Sequence, residues 1–158
     1  MAKTSAGILL YRGRGAALEV LLVHPGGPFW AGRDAGAWTL PKGRPEPGED
    51  LLTAARREFA EETGAAANGP AAPLGQITQA GGKVVHAWAV EGDMDPAALV
   101  SNTARIEWPA GTGRWLEVPE VDRAAWFDLA EAGRRINPAQ RAFLAALPAV
   151  AAARSTHV

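Results

Sequence analysis

Gly43-Arg44-Pro45-Glu46-Pro47-Gly48-Glu49 opens a stretch that closes on Arg57-Glu58-Phe59-Ala60-Glu61-Glu62-Thr63-Gly64-Ala65. The glycines and prolines of the first part forbid regular structure, so it reads as a loop. Residues 51–63 then run without Gly or Pro, with Asp50 placed to cap a helix and Gly64 placed to end it. On that helix Leu52, Ala55 and Phe59 fall on one side and can pack on a sheet. Glu58, Glu61 and Glu62 share another face, where like charges repel by roughly 0.2–0.5 kcal/mol per pair. Arg56 and Arg57 offset part of that repulsion, and a hard cation would offset more, because Mg²⁺ takes oxygen ligands. An arbitrary run of three glutamates is most often a solvated surface. The Gly-Pro loop, Glu49 and Arg57 at their spacings favour a metal site here.

The same stretch resembles the signature box of the Nudix hydrolases: Gly, five residues, Glu, seven residues, then Arg-Glu-U-x-Glu-Glu-x-Gly-U, with U bulky and apolar. Every fixed position is filled, and only Ala65 is smaller than the usual last residue. The resemblance implies an α/β protein with the Nudix fold, an α/β/α sandwich with a mixed β-sheet. It implies water attack on one phosphorus of a substituted diphosphate, with Mg²⁺ or Mn²⁺ as cofactor. Carried over by position, Glu58 and Glu62 would be metal ligands, and Glu61 a ligand or the general base. Arg57 would hold Glu58 by an ion pair, Glu49 would sit near the metals, and Lys42 or Gly43 would offer a backbone carbonyl. Glu107, outside the box, is the expected extra acid, chosen over Glu117 and Glu120.

Length and charge bound the rest. The 158 residues suit one domain, taken as residues 1–148, with 149–158 as a flexible tail. A net charge of −1 gives no basic field to recruit nucleic acid or an anionic membrane, so no stable nucleic-acid partner and no membrane is expected. The absence of cysteine excludes disulfides and thiolate metal sites and fits a reducing compartment. The apolar run at residues 6–11 is too short to span a bilayer, and the expected location is cytoplasmic. Oligomeric state is not legible.

Strands are expected at residues 5–12 and 18–24, joined across Gly13-Arg14-Gly15, and at 37–40, 74–78, 83–90 and 124–127, with a strand end at 105–108. Residues 65–73 read as a linker and 93–101 as a loop with a helical turn. Helices are expected at 129–135 and, opened by Asn137-Pro138, through Leu147. Strands and helices so mixed imply a sheet between helical layers.

The box does not identify what carries the diphosphate. Residues 38–43 with 46–49 are similar to the entry of diadenosine polyphosphate hydrolases and diphosphoinositol polyphosphate phosphatases. Residues 24–30, 82–88 and 119–127 resemble a bacterial group of NTP pyrophosphohydrolases. The expected substrate is a small nucleotide, diadenosine polyphosphates first and nucleoside triphosphates second. The alternatives are a housecleaning enzyme for damaged dNTPs and a non-catalytic nucleotide-sensing module. Phe29 and Trp30, in a Gly-rich loop, are candidates for stacking on a base; Lys42, Arg44 and Lys83 are candidates for the phosphate chain. Trp88, Trp108 and Trp126 read as core.

Overall fold

In a computed structural model describing residues 3–155, the first long strand, β1 (Thr4–Arg12), is the axis of the sheet. β2 (Glu19–Pro25) turns back on it, but the two pair only at Tyr11–Val20 and Arg12–Glu19. Beyond that they diverge, and the chain inserts β3 (Lys42–Gly43) beside β1 at Ala6 and Gly7, while Thr39 bridges Val23. Gly7 is required at this point, because a Cβ there would collide with Leu40 and the Pro41 carbonyl. The loop ahead of the box helix is thus held in the split between two core strands.

α1 (Leu51–Thr63) forms where the sequence predicts it. Asp50 accepts from the Thr53 N–H, and Gly64 ends the helix at φ 78°. β4 (Ala71–Thr78) and β5 (Val84–Glu91) make a hairpin, and β5 runs parallel to β1 from Thr4–Val84 to Tyr11–Glu91. β6 (Thr103–Glu107) and β7 (Trp115–Pro119) form a separate two-stranded ribbon. β8 (Val121–Asp128) pairs antiparallel with β2, and α2 (Leu129–Arg135) and α3 (Arg141–Ser155) follow. The order β4-β5-β1-β2-β8 is a mixed sheet.

Period-two alternation divides the core. Leu9, Tyr11, Val20, Leu22, Val85 and Ala87 face Phe143, Leu144 and Leu147 of α3 and Ala132 of α2. Ala6, Ile8, Leu10 and Leu21 face Ala54, Ala55 and Phe59 of α1. The result is the expected α/β/α sandwich.

Several expectations are corrected. The strand at 37–40 is reduced to isolated bridges at Trp38 and Thr39. The linker at 65–73 gives up residues 71–73 to β4, an edge strand, where Pro73 leaves no ladder bond unmade in the sheet interior. α3 passes Leu147 and Pro148 and remains helical through Ser155, with Ala151 buried, so residues 149–155 are not a tail. Residues 156–158 lie outside those described. Trp88 and Trp126 are only half-buried against the α1-side core, and Trp108 is likewise half-buried. Among the described residues, no helix is long and apolar enough to cross a membrane.

Candidate active site

The helical spacing of α1 sends Glu58 and Glu62 inward, one turn apart, and leaves Glu61 outside. Glu58 and Glu62 line a cavity of about 420 Å³ with Lys42, Gly43, Lys83 and Glu120. Gly43 is needed there, because a Cβ would overlap the Glu58 carboxylate. Glu62 is 4% exposed and accepts from the Lys42 backbone N–H at 3.1 Å. Burial pushes its carboxyl up to about 8, against the pull of the Lys42 charge and with the push of Glu58 and Glu120. Burial also raises Glu58, opposed by its hydrogen bond from Arg57. Glu120 is raised by burial and by the charge of Glu61.

Arg57 organises the outer side of the cluster. Its Nε and Nη2 donate to the two Glu49 oxygens, each at 2.9 Å. Its Nη1 donates to Glu58 at 3.0 Å and to both Glu61 oxygens at 3.1 Å, and Nη2 also reaches the Arg44 carbonyl. One guanidinium so ties the Gly-Pro loop to α1. Glu49, which also accepts from the Glu46 N–H, is drawn down to about 2 by Arg57.

One oxygen from each of Glu58, Glu62 and Glu120 lies within 4.8 Å of the others. This donor set fits a hard divalent cation such as Mg²⁺, which takes six oxygens at about 2.0–2.1 Å. The buried Ser5 hydroxyl also lines the cavity and has no hydrogen-bond partner among the described residues. Lys83 lines it too, held down to about 8 by burial and by the Lys42 charge. Carboxylates for a cation and ammonium groups for an anion therefore share one cavity.

A family model described as NUDIX domain matches residues 1–147. The chain belongs to the Nudix family of hydrolases. An Ap4A hydrolase binary complex from C. elegans has the same fold, with TM-score 0.67 and 22% identity over 94% of this chain and 98% of that one. The NUDIX domain of Shewanella oneidensis NrtR, solved with ADP ribose, gives 0.63 and 20% over 99% and 90%. An RNA pyrophosphohydrolase of Caulobacter vibrioides is 50% identical over 50 residues, which is 28% of this chain. The match spans only 29% of that relative's length.

Within the Nudix box the side chains expected to converge are divided by the helix. Glu58, Glu62 and Gly43 reach the cavity; Glu61 is on its solvent side, bonded to Arg57. Glu49 does not line the cavity, because both its oxygens are taken by Arg57. Arg56 does not meet the glutamates; it donates to the Ala67 and Gly69 carbonyls. Lys42, Arg44 and Lys83 all line the cavity. Phe29 and Trp30 stay in ring contact at 4.9 Å, but only Trp30 lines an adjoining cleft; Phe29 is 48% exposed, with Arg33 over its ring.

Glu107 is the clearest correction. Its carboxylate accepts from the Gly111 and Gly113 N–H groups and closes the β6–β7 turn. The acid that joins Glu58 and Glu62 is Glu120. It sits between β7 and β8, held by Glu120 N–H to the Asn102 carbonyl and by Gly26 N–H to its own carbonyl. A register shift between His24 and Pro25 of β2 lies opposite it, as bulges often do beside active sites. His24 is fully buried, within 2.9 Å of Asp122 and 2.6 Å of the Arg33 carbonyl, and so anchors the loop that carries Trp30.

Proposed function

We propose that this protein is a divalent-metal-dependent pyrophosphohydrolase that cleaves a nucleoside-linked di- or polyphosphate by water attack on phosphorus. The observation that carries this is the cavity in which Glu58, Glu62 and Glu120 converge beside Lys42 and Lys83. Glu58, Glu62 and Glu120 would hold Mg²⁺ or Mn²⁺. When bound, the ion neutralises phosphate charge and lowers the pKa of the attacking water. Lys42 and Lys83 hold the phosphate oxygens, and Arg44 lines the same cavity. Arg57 fixes Glu58 by hydrogen bonding and orients Glu61, which takes the water's proton from the solvent side of the cluster.

Diadenosine polyphosphates and nucleoside triphosphates are the substrates to assay first, supported by the fold shared with an Ap4A hydrolase. The local match to an RNA pyrophosphohydrolase favours, as a second reading, a triphosphate at an RNA 5′ end. The test is product analysis with Mg²⁺ on diadenosine tetraphosphate, ATP and a 5′-triphosphorylated oligoribonucleotide. Cleavage within the phosphate chain, abolished by EDTA and reduced at least tenfold by Glu120→Gln but not by Glu107→Gln, is the expected result. Binding of all three without turnover would instead assign a nucleotide-sensing module.

A further inference from the structure

β8 ends the sheet on one side. Which of its backbone groups face outward follows from its neighbour β2. Val23 exchanges both of its backbone hydrogen bonds with Thr39, each at 2.9 Å. A strand residue points its N–H and C=O to the same side, so Val23 has neither left for Ala124, its partner in β8. Ala124 therefore turns its N–H and C=O out of the sheet, and with period two so does Trp126. These four groups meet no backbone partner among the described residues.

Edge strands are commonly blunted by proline, bulges or charge. β4, at the opposite margin, carries Pro73 and a register shift between Pro73 and Gly75. Residues 124–127 of β8 are Ala-Ala-Trp-Phe, with no proline, charge or register shift along them. A cavity of about 590 Å³ follows this edge and is lined from both faces of the strand. Trp38, Arg123 and Phe127 wall it on the α2 side, and Pro96, Ala97 and Leu99 on the α1 side. The second wall, around the helical turn Pro96–Ala98, is fastened by Trp126 Nε1, which donates to the Met94 carbonyl at 3.0 Å. The edge is thus recessed. A lone strand fits between the walls, whereas a second copy would bring its own walls against them. Arg135, also in the lining, is taken up by Asp34 and Glu131. Arg123 is held more loosely: it lies over Trp38 at 5.2 Å and 3.6 Å from an Asp122 oxygen that His24 already meets at 2.9 Å.

We propose that this groove binds an extended peptide segment of another protein as an added antiparallel strand on β8, with acidic side chains toward Arg123 and small apolar side chains toward Pro96, Ala97 and Leu99. In such strand addition the main-chain bonds supply affinity and alternate side chains supply specificity. Peptide residues opposite Ala124 and Trp126 share their face of the sheet and exchange both backbone bonds with them. The apolar residues of the peptide are therefore the ones that bond to β8. Its acidic residues lie opposite Arg123 and Ala125 and point their own N–H groups away.

The probe is the acetylated, amidated peptide Val-Glu-Val-Glu-Val-Glu-Val, titrated into the full chain by calorimetry, with a Val-Lys counterpart as control. N-methylation at every Val removes the N–H groups that face β8, and N-methylation at every Glu removes only those that face away. The first should weaken binding about tenfold or more, and the second should leave it within about twofold. Arg123→Glu, at an exposed side chain, should weaken the Val-Glu peptide about tenfold and make the Val-Lys peptide the better ligand. Equal loss from the two methylated forms, binding that Arg123→Glu does not move, or no binding of the Val-Glu peptide overturns the proposal. So does a protein that sediments as a dimer and that the peptide converts to monomer, which would assign the edge to a second copy. Binding is read without turnover, so none of these results bears on the hydrolase.

Discussion

Glu62→Gln should abolish turnover and yet stabilise the metal-free protein. Glu62 is almost wholly enclosed, and its carboxyl is pushed up to about 8 from an ordinary 4.5. Between those pH values the folded protein holds a proton that the unfolded chain releases, so stability falls as pH climbs from about 4.5 to about 8 and stays low above it. At about 1.4 kcal/mol per pH unit, the penalty reaches about 3 kcal/mol by pH 7. Glutamine has no proton to hold and can still accept from the Lys42 N–H, so the variant escapes the penalty. For a chain of this size that amounts to about 6–12 °C in melting temperature. The assay is thermal unfolding in EDTA from pH 4 to 9. The two proteins should converge below pH 4.5 and separate steadily up to pH 8, with the variant higher. Added Mg²⁺ should raise the wild type and leave the variant unmoved. A variant that melts at or below the wild type at pH 8 in EDTA would show that Glu62 is already compensated in the free protein and would refute the reasoning.

Gly43→Ala puts a Cβ into the Glu58 carboxylate and should cost about 1–3 kcal/mol, as overpacking does, together with metal affinity; melting curves and Mg²⁺ titration check both. Arg57→Lys should lower kcat tenfold or more with KM little changed, because one ammonium cannot bridge Glu49, Glu58 and Glu61 together; retained kcat would remove Arg57 from the positioning role. Lys83, held at about 8, loses its charge above that pH, so KM for a phosphate-chain substrate should rise there, and Lys83→Arg should flatten the profile.

What the sequence shows best is what is decided locally. α1 has its cap at Asp50, its stop at Gly64 and its apolar face within thirteen residues, and each acts within one or two turns. Asn137 and Pro138 mark the start of the last helical segment for the same reason. The β6–β7 ribbon is obscure because Trp115 and Leu116 remain exposed and no buried face imposes alternation. Pro148 suggests an end to α3, yet Ala151 finds a buried position beyond it, and packing overrides the missing N–H. The choice between Glu107 and Glu120 depends on the pairing of β8 with β2 and on the bulge at His24–Pro25, a long-range register that no short window contains.

The remoteness of Glu120 couples binding to assembly. Glu58 and Glu62 arrive with one helix, but the third carboxylate stands at the head of β8, the strand that closes one edge of the sheet and touches only β2 within it. An ion shared by these three would act as a rivet between α1 and that outer strand. Chelation should therefore loosen the β8 margin before the rest of the fold, and amide protection along residues 121–128 would register how complete the site is. A growing chain could not display its full ion affinity until this last strand had emerged and locked into place.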